Sequence, residues 1–154
     1  MRTYGVLVGV LTFVLDAFKG VLGALLGSWI AGYVGMLVGA VFVVAGHNWS
    51  FLLHFNGGKG AATSYGAMLT IFPLWTAVGI LVFLIVLLAT GYASLGSICT
   101  FLFVFLMILI VRPMDVPLVI AGIILVAMAL YRHRGNIKRL FNGTENKINL
   151  WRRR

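Results

Sequence analysis

Gly60-Ala61-Ala62-Thr63-Ser64-Tyr65-Gly66-Ala67-Met68-Leu69-Thr70-Ile71-Phe72 is the stretch on which the fold turns. On either side the reading is plain. Residues 6–26 and 30–45 upstream, and 74–89, 95–111 and 116–131 downstream, are apolar runs of about the length that crosses a hydrocarbon core. Between the second and third runs lies a non-apolar island, residues 46–63, that carries Lys59. The C-terminus is strongly basic. Cytoplasmic segments of membrane proteins collect lysine and arginine, so the island and the tail belong on one side. An even number of crossings must then separate them, and only three are obvious. Residues 60–72 supply the fourth. As a helix of about 13 residues this piece spans roughly 20 Å, short for a bilayer, so it crosses where the membrane is thinned or lined by protein. Pro73 ends it and opens the next helix. The expectation is an all-α, polytopic integral membrane helix bundle of about six membrane-crossing segments, one of them short, forming a single domain over residues 1–154. Arg112 and Asp115, the charges left on the outer side, cancel.

Composition agrees. Hydrophobic residues make up 62% of the chain and charged residues 10%, with a mean hydropathy of +1.08. That is too little charge to cover a soluble domain. Met1-Arg2-Thr3-Tyr4 opens like a secretory signal, but Asp16 and Lys19 interrupt the apolar run and no small-residue cleavage site follows, which predicts a retained helix. The single cysteine, Cys99, excludes a disulfide within the chain. The net charge of +9 is concentrated in residues 132–154, where Glu145 is the one acid. Directly after a membrane helix, such a segment is read as cytoplasmic and attracted to anionic lipid rather than to nucleic acid. The scattered histidines and acids lack metal-ligand spacing, so neither metal nor cofactor is expected.

Three places carry chemistry. Asp16 and Lys19, one helical turn apart in the first run, form either a structural ion pair or a site for an anion or proton. In the island, Gly57, Gly58 and Gly60 let successive N–H groups turn toward one point, Lys59 adds a full charge, and a helix starting near Gly60 adds its dipole. Thr63 and Ser64 offer hydroxyls on the first turn, and His47 lies upstream. The loop is not a nucleotide P-loop, because Leu53 and Gly60 stand where that motif needs glycine and Ser/Thr. The third place is Tyr131–Lys147, where a helix would put His133, Asn136 and Ile137 on one face and Gly143 at its end. In the second run Gly32, Gly35 and Gly39 permit close helix approach.

The string Gly46-His47 through Phe55-x-Gly57-Gly58-Lys59-Gly60-x-Ala62-Thr63, with His133-Arg134-x-Asn136-Ile137-x-Arg139-Leu140-x-x-Gly143-Thr144-Glu145-x-Lys147, resembles the second and third signature motifs of the bacterial acyl-phosphate:glycerol-3-phosphate acyltransferases (PlsY). Leu15-Asp16-Ala17-Phe18-Lys19-Gly20 is similar too. The resemblance implies transfer of an acyl group from acyl phosphate to the 1-hydroxyl of glycerol 3-phosphate, giving lysophosphatidic acid at the cytoplasmic face of a bacterial inner membrane. It implies catalytic roles for Lys59, His133 and Asn136. Substrate phosphate contacts would fall to Gly57, Gly58, Lys59, Gly60, Thr63 and His47, with Arg139, Glu145 and Lys147 as further third-motif positions. A substrate phosphate, rather than His47 or His133, would take the hydroxyl proton. The family has seven spans, so this chain matches it without the first span and the first motif, Arg2 being the last trace of the latter. Ser50 stands where the family often has proline and Asn56 where lysine is common. Two other readings compete: a small transporter or channel component with Asp16, Lys19 and Lys59 along a polar path, and an inactive truncated family member. Inverted repeats would favour the transporter, and none is visible.

Overall fold

The computed structural model describes residues 5–55 and 57–148. Arg2, Asn56 and the last arginines, on which the sequence carries expectations, lie outside them. Within this range the chain forms α1 (Gly5–Asn48), a 3-10 turn (Phe51–Leu53), α2 (Ala61–Ile71), α3 (Pro73–Thr90), α4 (Ala93–Val111) and α5 (Val116–Phe141). It divides into two compact units, Met1–Pro73 and Leu74–Arg154.

In the first unit, α1 is a hairpin of two spans. Its 44 residues would measure about 66 Å as one straight rod, twice a hydrocarbon core. Ala31 (φ −141°, ψ 27°) and Gly32 (φ 61°, ψ −143°) leave the helical region and fold residues 33–48 back on residues 5–30. Gly32 therefore makes the turn, a conformation costly for other residues, and nothing would crowd a Cβ there. It is not part of the helix contact expected for it. That contact is made by Gly35 and Gly39. A Cβ on Gly27 would run into the carbonyl oxygen of Gly35, and one on Gly39 into that of Gly23. Lipid gives helices no hydrophobic reason to associate, so small residues that let backbones touch hold the limbs together. α2 joins by the same device: a Cβ on Gly20 would strike the carbonyl of Thr63, and one on Gly66 the carbonyl of Ala17. Ala24, Ala40 and Ala67 fill the small core between the three segments.

The short stretch 60–72 is thus a helix of 11 residues with Thr63 to Met68 all buried. Its sides face protein, which is what a segment too short for lipid requires. The N–H of Phe72 bonds the carbonyl of Met68, and Pro73 begins α3.

The second unit holds α3, α4 and α5. Thr100 Oγ1 lies 2.8 Å from the carbonyl of Gly79 and 2.9 Å from that of Gly96, tying α4 to α3. Gly122 of α5 faces Phe105 and Ile108 of α4. Asp115 caps α5 by accepting from Leu118 N–H at 3.2 Å. α5 then runs ten residues past the apolar run expected to end at Tyr131, because the polar continuation keeps its helix-forming pattern. It stops at a Schellman motif: Gly143 N–H bonds Leu140 O at 3.2 Å, Thr144 N–H bonds Arg139 O at 2.8 Å, and Gly143 has φ +68°.

Among the described residues, four helices are long and apolar enough to cross a membrane, with α1 supplying two limbs. Large apolar side chains such as Trp29, Ile30, Phe42, Leu88 and Ile110 point outward. In water they would be an aggregation surface; on a membrane bundle they are the lipid-facing coat.

Candidate active site

The glycine loop of the first unit is shaped by what it must pass. α1 ends at Asn48, and the chain turns through Phe51–Leu53 with His54 and Phe55 at positive φ. Gly57 and Gly58 then run hard against the last turn of α1. The N–H of Gly58 donates to the carbonyl of His47 at 3.2 Å. A Cβ on Gly57 would meet that same carbonyl, and one on Gly58 would enter the His47 ring at Nε2. Gly60, at φ +73°, caps α2 and rests on the carboxamide of Asn48. Lys59 stands exposed between these glycines. The loop delivers the N-terminus of α2, with its unpaired N–H groups and positive dipole end, beside a lysine.

Gly58, Lys59 and Gly60 border a cavity of about 800 Å³ whose wall also includes Thr12, Asp16, Lys19, His47 and Ser50, while Gly57 lies off it. Asp16 Oδ1 is 2.6 Å from Lys19 Nζ and 3.4 Å from His47 Nδ1. Lys19, Lys59 and a helix N-terminus face one carboxylate that is already paired, so the cavity suits an anion. Of the two readings for Asp16 and Lys19, the ion pair is formed, and it lies on the wall of this same cavity. Thr63 is placed elsewhere. It is fully buried against α1, its Oγ1 has no hydrogen-bond partner, and Ala61 and Ala62 are the α2 residues on the cavity wall. Asn48, beneath Gly60, is also fully buried with neither carboxamide atom hydrogen-bonded.

The second unit gathers the third motif around Glu145. Oε1 accepts from Ser94 Oγ at 2.9 Å and from Asn136 Nδ2 at 2.6 Å, and Oε2 accepts from Arg139 Nε at 2.7 Å. Burial pushes the Glu145 carboxyl up, but the hydrogen bonds from Asn136, Ser94 and Arg139 and the Arg139 charge outweigh it and hold it below the ordinary value. His133 and Asn136 share the buried face of α5, as their spacing predicts. His133 Nδ1 lies 2.8 Å from Ala129 O. A carbonyl only accepts, so Nδ1 carries a proton and donates it to this carbonyl. Lys147 lies 5.3 Å over the Tyr92 ring, and Ile148 N–H bonds Gly91 O at 2.8 Å, strapping the segment after α5 onto the α3–α4 turn. Beside the strap an apolar groove of about 510 Å³ is lined by Thr90, Tyr92, Leu95, Ile98, Ile137, Leu140 and Phe141. Ser94 and Gly91 were not foreseen. A serine in an apolar helix has no signature of its own; the one clue was Glu145, a lone acid among cations that needed neutral donors as well.

Comparison with known proteins separates the acyltransferase reading from the transporter. The family profile described as glycerol-3-phosphate acyltransferase matches residues 1–143. The chain belongs to the glycerol-3-phosphate acyltransferase family. A glycerol-3-phosphate acyltransferase of Clostridioides difficile is 43% identical over 96% of this chain and 74% of its own length. That of Carboxydothermus hydrogenoformans is likewise 43% identical, with the same coverage. Among solved structures, the integral membrane acyltransferase PlsY in its glycerol 3-phosphate form superposes with a TM-score of 0.90 at 33% identity, over 96% of this chain and 74% of that one. Its lysophosphatidic acid form gives the same score. The chain thus spans about three quarters of the length of these acyltransferases. Family membership sets the transporter reading aside.

Proposed function

We propose that this acyltransferase moves an acyl group from acyl phosphate to the 1-hydroxyl of glycerol 3-phosphate, giving lysophosphatidic acid. The observation that carries the reading is the glycine loop: Gly58, Lys59 and Gly60 set the α2 N-terminus and a lysine on the wall of a cavity suited to an anion. Both substrates bring phosphate. Lys59 and the N-terminus of α2 neutralise it, and His47 with Gly57 supports the loop from behind. His133 and Asn136, buried on α5, are assigned to handling glycerol 3-phosphate, with Arg139 and Glu145 holding Asn136 in place and Lys147 fastening the strap. Thr63, being buried, supports α2 rather than touching phosphate.

The hydroxyl oxygen attacks the acyl carbonyl carbon, the carbon–oxygen bond to phosphate breaks, and inorganic phosphate leaves. The hydroxyl proton passes to a substrate phosphate oxygen. Because the donor is already activated, lowering the barrier requires mainly placement of the hydroxyl and neutralisation of charge. The reaction takes place at the cytoplasmic face of the bacterial inner membrane, where the loop and the basic segment 132–154 lie by the positive-inside rule.

The test is an assay of membranes containing this chain, supplied with acyl phosphate and labelled glycerol 3-phosphate. Labelled lysophosphatidic acid is expected, with at least a hundredfold loss in Lys59→Ala. Equal product from the variant would remove Lys59 from its role. No product from the parent chain would overturn its assignment as an active enzyme.

A further inference from the structure

We infer that Asp16 is a positioning residue for the phosphate loop, acting through His47. The inference rests on the reading of that loop as the phosphate cradle. It begins with the hairpin. The close approaches of Gly27 to Gly35 and of Gly23 to Gly39 fix the register of the two limbs of α1, each residue of one limb facing a set partner on the other. Carried down to the open end, away from the Ala31–Gly32 turn, that register brings Asp16 level with His47. Asp16 Oδ1 stands 3.4 Å from His47 Nδ1. A carboxylate in an apolar span is costly, and Lys19 at 2.6 Å already compensates it. A second contact, reaching across to the other limb, has a different effect: it fixes which way the imidazole faces.

The other edge of that ring is where the loop rests. Nε2 occupies the space a Cβ on Gly58 would need, while the His47 carbonyl accepts from Gly58 N–H. His47 therefore holds the loop by backbone and ring together, and Asp16 holds the ring. Rotation of the imidazole about χ2 is a soft, two-fold motion that a carboxylate facing Nδ1 suppresses. Without Asp16 the ring loses its hold on the Nδ1 side, and the loop that rests on its other edge no longer keeps Lys59 and the α2 N-terminus in place on the cavity wall. Asp16 need not touch substrate for this; it sets the geometry of groups that do. The expected signature is weaker capture of glycerol 3-phosphate with the chemical step nearly intact.

The experiment measures kcat and KM for glycerol 3-phosphate in membranes bearing the full chain. Asp16→Ala, and Asp16→Leu, which refills the volume, are each expected to raise KM at least tenfold with kcat changed less than threefold. Asp16→Asn keeps an acceptor opposite Nδ1 and is expected to stay within threefold of the parent in both. In a His47→Ala background, Asp16→Ala is expected to add less than twofold. An unchanged KM in both Asp16→Ala and Asp16→Leu overturns the inference. So does a full tenfold effect that persists without His47, which would make Asp16 a residue of the ion pair alone. A wild-type KM in Lys59→Ala would overturn the cradle and this inference together, whereas loss there beside an unaffected Asp16→Ala overturns the Asp16 role alone.

Discussion

At the scale of single residues, the third motif depends on Glu145. Its side chain is 6% exposed and three donors converge on it. Hydrogen bonds to a charged group are each worth about 1.5–3 kcal/mol, so Glu145→Gln, which turns one acceptor into a donor facing Arg139 or Asn136, is expected to cost about 2 kcal/mol. Thermal unfolding in detergent checks it. The sign of the pH dependence follows from the direction of the shift. The folded-state carboxyl lies below its ordinary 4.5, so the unfolded chain takes up the proton first as pH falls. The contribution is therefore complete above about pH 4.5, shrinks below it, and is gone once pH has fallen through the folded value. Stability of the parent should bend downward below that point, and Glu145→Gln should lack this part of the bend. Identical acid limbs in the two proteins would show that Glu145 does not carry it. Much of this residue-level picture was readable in advance. The i, i+3 spacing of His133 and Asn136 put both on one face because α5 continues through them. Ser94 and the burial of Thr63 were not readable, because a hydroxyl's partner depends on which backbone it meets and not on its own neighbours in sequence.

At the scale of elements, spacing between helices rests on what glycine omits. Gly39→Leu places a side chain where the Gly23 carbonyl lies, and the limbs of α1 must part. Overpacking of this kind costs about 1–3 kcal/mol, so the variant should lose its fold cooperatively at lower temperature and, by shifting the hairpin register, also lose activity. Gly46→Ala is the control for stability. Nothing lies within 4 Å of a Cβ there, and alanine favours a helix, so the melting temperature should hold or rise. If both variants melted like the parent, the limbs would not be held by glycine contact. The elements themselves were legible from hydropathy, with ends off by a few residues except at α5. What hydropathy does not encode is the division of labour among glycines. Gly32, Gly35 and Gly39 look alike in sequence, yet one turns the chain and two let backbones meet. Which does which depends on where the limb reverses, and that is settled by packing along its whole length.

At the scale of the whole molecule, the arrangement of charges across the membrane is the property left to test. Hydropathy alone counted five spans. Counted as a crossing, the short α2, buried from Thr63 to Met68, would put Lys59 and the basic segment on one face by parity. On that count the α4–α5 turn, Arg112 to Asp115, lies on the opposite face. Met114 in this turn is 90% exposed and outside any helix, so a cysteine there is open to reagents. In a Cys99→Ala background, intact cells expressing Met114→Cys should be labelled by a membrane-impermeant maleimide. A cysteine replacing Ser50, beside the glycine loop, should react only after the membrane is opened. If α2 instead entered and left by the same face, the crossings between loop and tail would be odd in number. The two positions would then not separate in this way, since the loop and the basic tail could no longer share a side. The accessibility of Met114→Cys and Ser50→Cys therefore tests α2 as a crossing, and with it the step from 13 short residues to the sidedness of the enzyme.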